Sequence, residues 1–117
     1  PRRVYYIEAP EDVDLIDYLK SVSNQIGVRR AAVMAIGLLK KAKVGYLNVS
    51  AGKYEAIDLD EFLELVSALG YIYTTSDGAT NVHIHATLGR RDGSTVGGHL
   101  IEGVVYRAFV HLVELST

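Results

Sequence analysis

The chain contains no cysteine, so disulfides, thiolate nucleophiles and thiolate metal ligands are all excluded. It also has no basic excess. Twelve Lys and Arg face 14 Asp and Glu, giving a net charge of −2, and non-specific DNA binding rests on Lys and Arg neutralising phosphates. General attraction to nucleic acid is therefore absent, and DNA contact would need a local basic patch. No apolar run reaches the roughly 18 residues of a membrane helix. Pro1-Arg2-Arg3 leads into a strand-like segment rather than the apolar stretch of a secretory signal. The expected compartment is the cytoplasm, with no membrane partner. Also missing are a linker, a low-complexity stretch, an internal repeat, a Ser-His-Asp signature, a phosphate loop and a dinucleotide fingerprint.

What remains is 117 residues, the size of one domain spanning 1–117. Hydrophobic residues make up 49% and charged residues 22%, a balance that favours a folded core over disorder. Val4 to Ile7 reads as a first strand. Asp12 or Asp14 can then cap a helix with apolar positions Leu15, Ile16, Leu19, Val22 and Ile26, and Gly27 suits its stop. Asp17, Lys20 and Ser21 make its solvated face. The segment from Ala31 to Ile36 is small and apolar. Lys43 to Val49 and Tyr54 to Leu59 read as strands. Around Asp60 to Leu69 the apolar residues Leu59, Phe62, Leu63, Val66 and Leu69 have helical spacing.

From Ala79 to Leu88 the pattern alternates. Val82, Ile84, Ala86 and Leu88 face one way, and Asn81, His83, His85 and Thr87 the other. Asp92-Gly93 is a strong hairpin signal. Thr95 to Ile101 returns, interrupted by Gly97-Gly98, and Gly103 to Leu115 closes the chain as a long strand. Many strands with one helix predict an α+β fold, a mostly antiparallel β-sheet with the helix packed on it.

His83 and His85 should project from one strand face, with α-carbons about 6.5–7 Å apart. Two such rings can converge on one ion bound about 2.0–2.1 Å from each nitrogen. A hairpin centred near Asp92 would bring residues around His99 back alongside residues around His85. Gly97 and Gly98 offer no side chain to block a ligand or a neighbouring backbone there. Three imidazoles suit a divalent metal, zinc above magnesium or calcium, and leave a fourth position open. The plain reading of the same residues is a polar strand face. His111 alternates with Phe109 and Val113 and reads as a packed or partly buried histidine. Glu102, Glu55 and Glu64 are the nearby carboxylates; Glu102, three residues beyond His99, is the candidate catalytic base for a metal-activated water, and a surface or subunit-interface charge is the plain reading of all three. Small basic clusters stand at Arg29-Arg30, at Lys40-Lys41 with Lys43, and at Arg90-Arg91, with solvated turns and strand edges as their plain reading.

Gly52-Lys53-Tyr54-Glu55, Glu64-Leu65, the run from Val82 to Leu88, Asp92-Gly93, Val96-Gly97-Gly98-His99-Leu100 and Glu102-Gly103 occur in an order that resembles the plants-and-prokaryotes-conserved (PPC) domain, prokaryotic stand-alone type. The resemblance covers nearly the whole chain. It implies that Asp60 to Leu69 is a strand, that the protein is a homotrimer, and that His83, His85 and His99 form the metal site. It also implies a DNA-associated or regulatory binding module; in such a module Arg90 and Arg91, on the hairpin tip, are the candidate phosphate contacts. This chain lacks the Arg-Gly-Arg hook that plant relatives insert into the minor groove. The alternatives are a metal-dependent enzyme acting on a small polar substrate and a purely structural metal.

Overall fold

The computed structural model describes residues 3–115. Six strands and one helix follow in the order β1 (Val4–Ala9), α1 (Leu15–Ile26), β2 (Arg30–Asn48), β3 (Lys53–Leu59), β4 (Leu63–Thr74), β5 (Thr80–Gly89) and β6 (Thr95–Glu114). Every pairing is antiparallel, and the strand order is β1-β6-β5-β4-β2-β3. β2 also pairs with β6, so β2, β4, β5 and β6 close a circuit. The expected α+β fold is borne out.

Helix α1 forms where a cap, an apolar stripe and a stop coincide. Asp14, not Asp12, is the cap: its Oδ2 accepts the Asp17 N–H at 3.0 Å. Gly27 ends the helix in the left-handed region at φ 75°, where its lack of a Cβ avoids strain. The buried stripe is Leu15, Ile16, Leu19 and Ser23. It corrects the expected one, because Val22 is only half-buried and Ile26 is exposed. The helix packs on β5 and β6, and its leucines join one core cluster with Val33, Leu39, Leu63, Ile84, Leu100 and Leu112.

Two pairs of expected segments fuse into single strands. Ala31–Ile36 and Lys43–Val49, the latter up to Asn48, are parts of the 19-residue β2, and the segments on either side of Glu102, as far as Glu114, are parts of the 20-residue β6. Both run on because register shifts, such as that between Ala35 and Gly37, let a long strand bend around the core without ending. From Leu63 onward the 60–69 segment is strand, as the family resemblance implied and against its helical spacing, while residues 60–62 lie before the strand. Leu63, Leu65, Ala68 and Ile72 are buried, while Val66, Leu69, Tyr71 and Tyr73 are exposed on the other face. Apolar residues on both faces of a bulged strand imitate a period of 3.6.

The sheet consequently has two unlike faces. The inner one carries the core and α1. The outer one carries Met34, Leu69, Tyr71 and Tyr73 together with His83 and His85. His111 belongs to this outer face as well. It is exposed rather than packed, because Val110 and Leu112 take the inward positions of β6, and its ring lies 5.4 Å from that of Tyr6.

Candidate metal centre

β5 delivers two of the three histidines by simple alternation. Ile84, Ala86 and Leu88 are buried, which forces His83 and His85 outward. The β5–β6 hairpin delivers the third. Its tip is closed by Arg90 N–H donating to the Ser94 carbonyl at 2.8 Å and Gly93 N–H donating to the Arg90 carbonyl at 2.9 Å. Asp92 Oδ1 accepts from both the N–H and the hydroxyl of Ser94, and these hydrogen bonds hold its carboxyl below the usual carboxylate range. With the turn fixed, His99 falls directly opposite His85.

The glycines before His99 make room for backbone rather than for a ligand. A Cβ on Gly97 would overlap the Ala86 carbonyl oxygen, and one on Gly98 would lie 2.7 Å from the carbonyl oxygen of Gly45. β6 is thereby pressed between β5 and β2 at the point where its histidine emerges.

The three imidazoles converge. His83 Nε2 lies 3.3 Å from His85 Nε2. Ring centroids are 5.2 Å apart for His83 and His85, 4.7 Å for His83 and His99, and 5.8 Å for His85 and His99. One nitrogen from each ring falls within 4.8 Å of the others. Tyr54 of β3 stacks on His99 at 4.7 Å with 24° between the planes, fixing the ring from the side away from β5. Burial, with lesser contributions from His83 and His85, pushes the His99 pKa below its ordinary value. Both effects favour the neutral imidazole, the form that binds metal. Its Nδ1 is buried and has no hydrogen-bond partner. Leaving such an atom unpaired costs about 1–3 kcal/mol. A metal ion is a natural partner for a buried, neutral, unpaired ring nitrogen, so the residues present fit one.

No carboxylate joins this cluster among the described residues. Glu102 pairs with Lys43 across the sheet and lies near Asp14. Asp14 accepts the Gly103 N–H at 2.8 Å on the helix side, and burial is the main cause raising its pKa, with charge repulsion from Asp17 and Glu102 adding to it. Glu55 is engaged by the Asn48 amide at 2.9 Å, and Glu64 sits between Leu38 and Gly89. The candidate cations also have acidic company. Arg90 meets Glu61 at 3.3 Å, Lys40 meets Glu11 at 2.6 Å and Asp12 at 2.7 Å, and Lys43 meets Asp58 at 3.8 Å. Arg91 is exposed beside Arg90 on the hairpin tip.

Sequence reasoning missed two features. The first is Tyr54, which reaches His99 only through the pairing of β3 with β2 and of β2 with β6. The second is an open groove of about 740 Å³ beside His83 and His85, lined by Met34, Leu69, Tyr71 and Tyr73, with Arg30 at its rim. The alternation Leu69-Gly70-Tyr71-Ile72-Tyr73 carries the signal for it once the segment is read as strand.

A largely antiparallel sheet closed around one helix, with three histidines gathered on its outer face, defines a small α+β protein with a candidate metal centre. The model of the Plants and Prokaryotes Conserved (PCC) domain matches residues 1–116, and the chain belongs to this family. A plant- and prokaryote-conserved protein of Pyrococcus horikoshii superposes with a TM-score of 0.94 at 36% identity, over 98% of this chain and 80% of that one. A metal-containing protein of Archaeoglobus fulgidus gives 0.91 at 29% identity, over 97% and 80%. A Bacteroides thetaiotaomicron protein whose name proposes DNA binding gives 0.87 at 20% identity, over 97% and 82%, and shares the fold alone. No curated protein matches the chain at a significant level. Among the described residues no helix is long and apolar enough to cross a membrane.

Proposed function

We propose that this protein is a homotrimeric, metal-holding binding module in which His83, His85 and His99 take one divalent ion, zinc in the first place. The observation that carries the reading is the convergence of three imidazole nitrogens within 4.8 Å, one ring having a buried nitrogen without a partner. Three neutral nitrogen donors favour zinc and other borderline ions, and a three-histidine set leaves a further position for water or an anionic ligand. The Archaeoglobus fulgidus relative, named for its metal, supports the same reading. A regulatory module fits better than an enzyme, because a hydrolytic metal site wants a carboxylate base within reach of its water. The described carboxylates, Glu102 included, stand outside the cluster.

Elemental analysis of untagged protein tests the site. The expected result is about one zinc or similar ion per chain, lost in each of His83→Ala, His85→Ala and His99→Ala. No uptake on titration would reduce the histidines to a polar strand face. The enzyme reading stands on the open coordination position and the groove beside it; turnover of an ester, phosphate or amide that disappears in His85→Ala would establish it. For DNA, Arg90 and Arg91 at the hairpin tip are the contacts to neutralise. Salt-dependent binding that falls with Arg90→Ala and Arg91→Ala would make the module DNA-associated. Binding absent at low salt would leave small ligands as its object.

A further inference from the structure

One part of the fold makes no sense in an isolated chain. The β2–β6 pairing ends at Gly45, opposite His99, while β2 and β3 continue together to the pair Asn48 and Lys53. Beyond Gly45 the hairpin is a two-stranded arm. Two strands alone are marginally stable in water, and this arm leaves large apolar side chains uncovered. Tyr46, 70% exposed, stands among Asn48, Lys53 and Glu55 on the face that continues the core side of the sheet. Ile57, opposite Val44 where the arm begins, is 52% exposed on that face, and Val49 at the turn is 81% exposed. Leu47 and Tyr54 are exposed on the opposite face, where Tyr54 covers His99.

The same chain also leaves a receptor uncovered. Leu69 is 57% exposed and Tyr71 61%, and with Met34 and Tyr73 they line the groove beside His83 and His85. The amount of uncovered surface is that of an interface. The chain exposes 7015 Å², whereas a compact monomer of this mass exposes about 6300 Å². The excess of roughly 700 Å² is close to what each partner buries in a standard interface, about 800 Å².

We propose that the β2–β3 arm of one copy seats Tyr46 and Ile57 of its core-side face, with Val49 at its tip, in the Met34–Leu69–Tyr71 groove of a second copy. The inference rests on the self-association proposed above and assigns its surfaces. An arm entering a groove is a heterologous contact, since the two patches differ, and such contacts repeat until a ring closes. The contact also places a neighbouring arm against the wall formed by His83 and His85, so each candidate metal centre is completed by two copies of the chain.

The absence of cysteine makes a clean test available. Tyr46 and Leu69 are both exposed, so Tyr46→Cys and Leu69→Cys leave the folded monomer intact. The two single variants are mixed, exchanged through a brief mild-denaturant step, oxidised, and run on a non-reducing gel. The expected result is a disulfide-linked dimer in the mixture and little in either variant alone. Light scattering on the unmodified protein is read alongside. An oligomer with no cross-link in the mixture, or with equal cross-linking in the single variants, would overturn the arm-to-groove contact and leave self-association standing. A monomer at every concentration would overturn both.

Discussion

Substituting His99 with phenylalanine separates the cost of the site from its use. In the metal-free protein, His99 places a buried, unpartnered nitrogen next to two other imidazoles, while its ring stacks on Tyr54. His99→Phe keeps an aromatic ring for the stack and removes the orphan atom. An unpaired buried polar atom costs about 1–3 kcal/mol, and the slightly larger ring returns part of that gain as crowding. A net gain of about 1 kcal/mol is expected for the metal-free variant. Unfolding entropy scales with length, so for 117 residues this corresponds to a Tm rise of about 4 °C. Zinc reverses the ranking. A ligand that binds only the folded state at 100 times its Kd stabilises by about 2.7 kcal/mol, or roughly 11 °C on the same scale. The unmodified protein should show that shift, and His99→Phe should show little of it. Thermal melts of both proteins, in chelator and in a zinc series, give four curves. The reasoning is refuted if His99→Phe melts well below the unmodified protein in chelator, or if both respond equally to zinc.

Asp14 offers a second test, because it accepts two backbone N–H groups, those of Asp17 and buried Gly103. Asp14→Ala should cost about 2–4 kcal/mol in urea unfolding, combining a lost helix cap with an unsatisfied buried donor, whereas Asp14→Asn should cost little. Burial raises the Asp14 pKa above 3.8, so its contribution to stability is fully present below that value and lost as pH rises through the folded-state pKa; Asp14→Asn should flatten this dependence in acid titrations of stability. Leu19→Ala, at a fully buried helix position, should cost about 2–5 kcal/mol with zinc uptake per folded chain unchanged. Tyr54→Ala should lower zinc affinity several-fold in competition titrations while His111→Ala leaves it unchanged, since Tyr54 orients His99 and His111 stands outside the cluster.

The site was legible where its geometry is local. Alternation put His83 and His85 on one face, and Asp92-Gly93 turned the chain so that His99 met His85, a relation that needs only one hairpin. The order of β1, β6, β2 and β3 is set by contacts far apart in sequence, so the Tyr54 stack had no local sign. Alternation also placed His111 on a face with Phe109 and Val113, but it could not say which face of β6 is covered. That depends on α1 and on the closure of β2 onto β6. Helix α1 was legible from Asp14 and Gly27, but its stripe was displaced. Buried Ser23 takes the place that hydrophobicity alone would give to Ile26.

The most instructive misreading concerns the 60–69 segment. A strand with one covered face shows a period of two, and this segment does not, because Leu63, Leu65 and Ala68 fill the core while Val66 and Leu69 are apolar and face outward. Its helical spacing is the sum of two strand faces, both of them hydrophobic. Strands buried on both faces read that way, yet in the single chain only one face is covered. The pattern therefore records a burial that the single chain does not provide. The β2–β3 arm repeats the signature in part, with Leu47 and Tyr54 on one face and Tyr46 and Ile57 on the other, where Asn48, Lys53 and Glu55 intervene. Both departures from period two border the three histidines, one through the groove and one through Tyr54. A site built on such a surface would be sheltered by assembly rather than by a cleft in one subunit. For that reason the oligomer and the metal should be measured on the same preparation.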